Sequence, residues 1–306
     1  MLDFRSFQEQ PPIIKIETIA SEKAGINLYL KREDLIHECL SGNKWRKLKY
    51  NLLQARSDDK KVLLTFGGAF SNHIAAVGEA GALFGFETIG IIRGEAPAPL
   101  NKTLQKAMDN GMRLVFVSRS DYRNKPGLIS KYSQVSDDTY IIPEGGTNSL
   151  ALKGCAEIVS HCNVEKNIDY WCVSCGTGGT AAGMISALGK DKHLIGFSAL
   201  KGDFMKEEIR KLVQSEGETK NNWSVNTDFH FGGYAKFDPM LIQFINDFKR
   251  EFDIRLDPIY TGKLLYGVFE LVKKEFFPKG ANIMIVHTGG LQGIAGFNER
   301  FGDLIQ

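Results

Sequence analysis

Short apolar runs alternate with longer amphipathic stretches along almost the whole chain. Residues 62–66, 88–92, 114–118 and 140–143 are dominated by aliphatic and aromatic side chains and predict strands. Between them, 72–83, 100–110 and 128–133 have the three- and four-residue apolar spacing of helices. A second series follows, with helix 150–161, strand 170–174, helix 180–188, strand 194–199 and helix 204–214. Two further helices, 240–252 and 264–276, precede a strand at 282–287. Such alternation predicts mostly parallel sheets with helices on both faces, the doubly wound α/β class. Two series fit two lobes better than one very wide sheet. No internal repeat or low-complexity linker marks the boundary between them.

Composition narrows the function classes. At 306 residues the chain can bury two such cores. Its 38 basic and 36 acidic side chains leave a formal net charge of +2, no field for gripping nucleic acid or an anionic membrane. The lysine clusters at 44, 47 and 49 and at 60 and 61 read as solvated helix faces. No apolar stretch follows a basic start, so no secretory signal is expected. The longest apolar runs, such as 283–286, are strand-length, far below the ~20 residues of a membrane span. Five cysteines, an odd number in a long chain, point to reduced thiols in the cytoplasm. Cys172 and Cys175 form a CxxC, but inside the apolar run 170–175, which reads as a buried strand. A redox pair opens a helix instead. With no second cysteine pair and six scattered histidines, no metal site is expected.

Two segments carry the strongest chemical signal. Ser41, Gly42 and Asn43 are turn and cap residues, and Trp45, Leu48 and Leu52 then recur at helical spacing. Lys44 is therefore expected at a helix start, where the positive dipole end and neighbouring Arg46 and Lys47 favour its neutral, nucleophilic amine. The second segment, Cys175-Gly176-Thr177-Gly178-Gly179-Thr180, lies directly between a strand and a helix. Glycines there let the backbone and the first helical N–H groups approach a phosphate, and Thr177 and Thr180 add hydroxyls. Gly176-x-Gly178-x-x-Ala181 also satisfies the dinucleotide fingerprint, making a nucleotide-binding oxidoreductase the rival from another class. That fingerprint expects an acid about 20 residues on; Ala199-Leu200-Lys201 stands there, with Asp203 a little late. Polar residues beside glycine also follow three other strands, at 67–73, 144–148 and 287–290. Strand carboxyl ends are where open α/β sheets bind ligands. Residues 256–263 add a helix start with Tyr260 at its mouth.

Taken in order, the motifs resemble a known family. They are Lys-Arg-Glu-Asp-Leu (31–35), Gly-Asn-Lys-x-Arg-Lys-Leu (42–48), Ser-Asn-His (71–73), Glu-Gly-Gly-x-Asn (144–148), Gly-x-Gly-Gly-Thr (176–180), Leu-Asp-Pro-x-Tyr-Thr-Gly-Lys (256–263) and His-Thr-Gly-Gly (287–290). The ordered set is similar to the 1-aminocyclopropane-1-carboxylate deaminase/D-cysteine desulfhydrase family of pyridoxal 5′-phosphate (PLP) enzymes. That resemblance implies a fold of the tryptophan-synthase-β type with PLP in the cleft between two domains. It implies a larger domain of residues 1–46 plus 151–306, a smaller one of 47–150, and a homodimer. It further implies that Lys44 carries PLP as a Schiff base and that Gly176, Thr177, Gly178, Gly179 and Thr180 cradle the phosphate. Asn72 would hold the phenolic oxygen, Thr288 would meet the pyridine nitrogen, and Ser71 would lie beside the substrate carboxylate. Tyr260 would face the substrate as an acid/base or orienting group, with His73 and Thr261 nearby. Ala69-Phe70 departs from the family's usual Ile-Gln, and the chain is somewhat short for the family.

Deaminase members carry Glu after the tyrosine and Leu in the His-Thr-Gly-Gly segment, whereas this chain has Thr261 and Thr288, the desulfhydrase pattern. A hydroxyl at the pyridine nitrogen makes a weaker electron sink than a carboxylate does. Opening an unactivated cyclopropane leans on a strong sink, but expelling a stable thiolate does not. The expected reaction is β-elimination from D-cysteine or a similar β-substituted D-amino acid, giving keto acid and ammonia. The cyclopropane deaminase is the second reading, and a PLP-binding protein without turnover the third.

Overall fold

The computed structural model describes residues 2–133, 137–162, 167–217 and 219–306. The first half runs β1 (Ile13–Ile16), α1 (Ile19–Ala24), β2 (Asn27–Lys31), α2 (Gly42–Ser57), β3 (Val62–Gly68), α3 (Asn72–Phe84), β4 (Glu87–Arg93), α4 (Lys102–Asp109), β5 (Met112–Val117), α5 (Lys125–Ser133) and β6 (Thr139–Ile142). The second adds α6 (Ser149–Ser160), β7 (Tyr170–Cys175), α7 (Gly179–Ala187), β8 (His193–Ser198), α8 (Phe204–Ser215), β9 (Trp223–Asn226), α9 (Pro239–Phe252), α10 (Thr261–Lys273), β10 (Asn282–Val286) and α11 (Gly293–Phe301).

The strands form two sheets. One has the order β5-β4-β3-β6, all parallel. The other has the order β1-β2-β10-β7-β8-β9, parallel except for the β1–β2 edge pair. Both faces of each sheet are covered, which is why the central strands read as unbroken apolar runs. In β10, Ile283, Met284, Ile285 and Val286 are all fully buried. Ile283 and Ile285 point into a core roofed by α9 and α10, and Met284 and Val286 into one roofed by α6, α7 and α8. Helix α3 shows how the local signals work. Ser71 Oγ accepts from the N–H of His73 and Ile74 to start it, and Gly85, at φ +69°, ends it.

The two sheets share one cleft. Residues at or just beyond the carboxyl ends of β3 to β8 and of β10 line it, together with the first turn of α2. The cleft encloses about 690 Å³. Among the described residues, no helix is long and apolar enough to cross a membrane. Cys172 and Cys175 lie buried in β7 as free thiols, as the apolar run around them implies.

Candidate active site

The first turn of α2 is pressed against the turn after β10. A Cβ on Gly42, which sits at φ +65°, would lie 2.1 Å from the Thr288 carbonyl oxygen, so only glycine fits. The Asn43 N–H donates to that same carbonyl at 3.2 Å. Asn43 Nδ2 donates to Thr180 Oγ1 at 2.9 Å, while its Oδ1 accepts from Lys44 Nζ at 3.0 Å. One asparagine thus ties the amine to the start of α7. Burial, then the nearby Lys47 ammonium, push the Lys44 amine down to about 7, so that it is half neutral near physiological pH. Arg46, expected from its sequence position to contribute to this effect, does not line the cleft. Its guanidinium is bound to Glu33 and Glu157 on the other side of the helix.

Lys47 corrects the reading of the lysine cluster as a solvated face. It is 2% exposed, one turn of helix from Lys44 and on the same face of α2. Its Nζ donates to Gly145 O at 2.9 Å, Thr147 Oγ1 at 3.1 Å and Thr177 Oγ1 at 3.3 Å. Every one of these acceptors is neutral. A buried ammonium without a counter-ion is costly, and burial pushes its pKa down. A phosphate dianion would supply the missing charge.

The loop after β7 completes that corner. Gly178 begins α7 at φ +77° without a side-chain cap, leaving the first-turn N–H groups available. The position of a Cβ on Gly178 is 3.0 Å from Ile209, so this glycine serves the turn and its packing. Gly179 is the one that keeps the cradle open, since its Cβ would sit 2.8 Å from Thr147 Oγ1 and 3.2 Å from Lys47 Nζ. Gly176 leaves room for Tyr260, whose hydroxyl would be 3.1 Å from a Cβ there. The donor set therefore fits a phosphate at one end of the cleft and a reactive amine beside it.

Thr288 Oγ1 lies 3.2 Å from Ser174 Oγ, a pair of buried hydroxyls across the ends of β10 and β7. Ser71 Oγ already accepts two N–H donors, so its own hydrogen is free to donate into the cleft. Asn72 Oδ1 accepts from Gln292 Nε2 at 2.5 Å, a bond across the cleft. His73 lines the cleft but is 2% exposed. Thr65 Oγ1 donates to Ile142 O at 2.9 Å, so it accepts from His73 Nε2 at 2.8 Å and assigns the proton to that nitrogen. Nδ1 is buried and, among the described residues, has no partner of good hydrogen-bond geometry, with the Pro143 backbone nearby. Burial, with Lys44 and Lys47 nearby, holds this histidine well below its usual range and therefore neutral.

Tyr260 faces the cleft, its pKa pushed well above 10 by burial and then by Tyr234 and Asp257. At neutral pH it is a hydrogen-bond donor. Tyr234, which carries no motif in the sequence, packs its ring edge-on against Tyr260 at 6.3 Å. Thr261 does not face substrate. It is fully buried at the start of α10, with Oγ1 donating to Asp257 Oδ1 at 2.7 Å and accepting from the Asp257 N–H at 2.9 Å. It stabilises the turn beneath Tyr260 and lies outside the cleft wall. Replacing Lys47 by alanine is expected to weaken PLP binding at least ~10-fold, by loss of a buried charge-assisted contact. Equilibrium dialysis at neutral pH measures it, and an unchanged affinity would place the phosphate elsewhere.

Known proteins match the chain over nearly its whole length. The model of the family "Pyridoxal-phosphate dependent enzyme" matches residues 5–289. A putative 1-aminocyclopropane-1-carboxylate deaminase of Pyrococcus furiosus is 30% identical, over 92% of this chain and 89% of that protein. Another from Thermotoga maritima is 28% identical over 92% and 94%. The crystal structure of an ACC deaminase homologue superposes with a TM-score of 0.83 at 27% identity, covering 98% of this chain and 95% of that one. A hydrogen sulfide-producing enzyme from Fusobacterium nucleatum has TM-score 0.68 at 13% identity, over 92% and 96%, and shares the fold. These matches remove the nucleotide reading of the glycine loop. With the fold of the tryptophan-synthase-β type and a lysine, a glycine-rich loop and paired hydroxyls in one cleft, the chain belongs to the pyridoxal-phosphate-dependent enzyme family, among the relatives of 1-aminocyclopropane-1-carboxylate deaminase.

Proposed function

We propose that this protein is a PLP-dependent lyase that removes a β-substituent from a small amino acid, D-cysteine or a similar β-substituted D-amino acid, releasing keto acid and ammonia. The observation that carries this reading is the Thr288–Ser174 hydroxyl pair. The two glutamates of the cleft wall, Glu79 and Glu144, are paired with Lys106 and Lys125 instead. When bound, PLP would supply an electron sink, a weaker one if a hydroxyl such as that of Thr288 rather than a carboxylate stands at its ring nitrogen. That sink suffices to expel a stable leaving group.

The chain's own groups supply the rest. Lys44 Nζ, neutral above about pH 7 and held by Asn43, takes the proton from Cα. The free Ser71 hydroxyl hydrogen and the start of α3 receive the substrate carboxylate. Tyr260 keeps its proton and so offers a hydrogen bond, not a proton, to the departing group. Asn72 would hold the cofactor's phenolic oxygen, and Lys47 with residues 176–180 would hold its phosphate. Thr261 no longer distinguishes elimination from ring opening, because it touches neither substrate nor cofactor space. The deaminase reading is supported by the names of the relatives.

We draw the lobes as 1–46 with 151–306 and as 47–150, a boundary that falls inside α2 and leaves Lys44 on the larger lobe. A cytoplasmic homodimer is the form we propose. D-cysteine, L-cysteine, β-chloro-D-alanine and 1-aminocyclopropane-1-carboxylate, assayed side by side, decide the reaction. Pyruvate from at least one β-substituted D-amino acid, with little 2-oxobutanoate from the cyclopropane, is the expected result. Efficient ring opening without elimination would reverse the assignment.

A further inference from the structure

The deep end of the cleft accounts for its cations, but the mouth does not. Lys47 faces the phosphate corner and Lys44 is the reactive amine, while Lys106 pairs with Glu79 at 3.3 Å. Arg93, Arg119 and Arg300 also line the cleft, all three exposed, and among the described residues none of their guanidinium groups forms an ion pair or a side-chain hydrogen bond; Arg300 lies on α11 against Phe301, apart from the other two. The remaining wall carboxylate, Glu144, is held by Lys125 at 2.5 Å.

The two arginines come from adjacent strand ends. Arg93 closes β4, paired with Val117 at the end of β5, and the Gly94 N–H donates to Val117 O at 2.8 Å. Arg119 follows two residues later. Arg93 is supported from below, its guanidinium 5.4 Å from the ring of Tyr122, which is 4% exposed. Its Nη2 lies 3.6 Å from the place of a Cβ on Gly68, beside the turn that leads to Ser71. Its charge also reaches Tyr234 on the opposite wall. A planar, always-charged fork held on an aromatic surface suits an oxyanion of tetrahedral or carboxylate shape. The substrate's α-carboxylate already has receivers in Ser71 and the first turn of α3. A neutral side chain such as that of cysteine would leave both exposed arginines to solvent, whereas an anionic one would give them a partner.

We propose that Arg93 and Arg119 receive a second anionic group, so that the preferred substrates are amino acids whose β-substituent is a phosphate or sulfate ester. This rests on the β-elimination reading and specifies its leaving group. With O-phosphoserine the Cα proton passes to Lys44 Nζ and its bonding pair becomes the second Cα–Cβ bond. The Cβ–O bond breaks with its electrons leaving on phosphate. Water then replaces the nitrogen, so that the products are pyruvate, ammonium and inorganic phosphate, with no oxidant or reductant.

Two measurements test this on the PLP-loaded protein. The first is the ratio of kcat/KM for O-phosphoserine to that for β-chloroalanine, each as the D and L forms. The ratio is expected to exceed about 10 for one stereochemical series and to fall roughly 10-fold in Arg93→Gln and again in Arg119→Gln, as each charge-assisted contact is lost. The second is calorimetric binding of 2-amino-3-phosphonopropionate against alanine, which reads the anion site without turnover. The phosphonate is expected to bind at least ~10-fold tighter, and the double variant to lose that advantage. A ratio at or below 1, or one unchanged in the double variant, overturns the proposal. So does an equal loss for both substrates, which would place Arg93 on the α-carboxylate. Arginine-dependent phosphonate binding without any elimination would support the anion site and sink the elimination reading instead.

Discussion

Replacing Lys44 by alanine is expected to remove the reducible covalent link to PLP altogether and to lower elimination by about 10³-fold or more. The estimate follows from losing a general base, worth about 10² to 10⁴, together with covalent capture of the cofactor. Borohydride treatment of the wild-type protein followed by peptide mapping should find the pyridoxyl label on Lys44 and nowhere else. The pH dependence carries a sign. Attack on an aldehyde needs the neutral amine, and this amine is pushed down to about 7. Capture of PLP by cofactor-free protein should therefore rise with pH through that region and level off above it. Burial is the larger cause and the Lys47 ammonium the second. Lys47→Met should consequently move the midpoint upward, read by labelling the Lys44 amine in cofactor-free protein across a pH series. A label on another lysine, or a midpoint near 10 in the unaltered protein, would remove Lys44 from the chemistry.

The elements that position this amine were legible to very different degrees. Runs such as 62–66 and 282–287 announced β3 and β10 because buried parallel strands are apolar on both faces. β1 and β9 have four residues each and lie at the edges of their sheet, and α1 has six, too short for any periodicity to register. Helix α11, with glycine at 293 and 296, was missed. Lys44 and the glycine loop were visible as turn chemistry next to helical spacing. Lys47 was not, since a lysine destined for a buried neutral cradle looks the same in sequence as one facing water. Its neutral acceptors come from residues 145, 147 and 177, about 100 and 130 positions away. Thr261 failed in the opposite way: it is adjacent in sequence to Tyr260, but the start of α10 turns it back onto Asp257.

Substituting Glu33 by glutamine is expected to destabilise the fold by about 3–5 kcal/mol, the cost of leaving a buried charge without its partner. Arg46 is fully buried, its Nε 2.8 Å from Glu33 Oε2 and its Nη1 3.0 Å from Glu157 Oε2. Lys31, 1% exposed, lies 3.7 Å from Glu33 as well, and Lys49 binds Glu157 at 2.9 Å. Lys49 also lies 3.8 Å from the exposed Glu9, so Glu33 is the carboxylate that the two fully buried cations, Lys31 and Arg46, share, and its loss leaves Lys31 without an anion and Arg46 with Glu157 alone. The same network faces away from the cleft on the turn of helix that presents Lys44 and Lys47 toward it. Its weakening should therefore loosen the amine and lower PLP affinity along with stability. The net worth of such a network against a well-packed apolar core is small, which is why the test removes one member rather than all. Glu17→Ala, which breaks an exposed pair with Lys15, supplies the control and should cost no more than about 0.5 kcal/mol. Urea unfolding of both variants, with the slope unchanged, compares them directly. If Glu33→Gln cost no more than the surface control, the buried pairs would not be what holds the start of α2 in place.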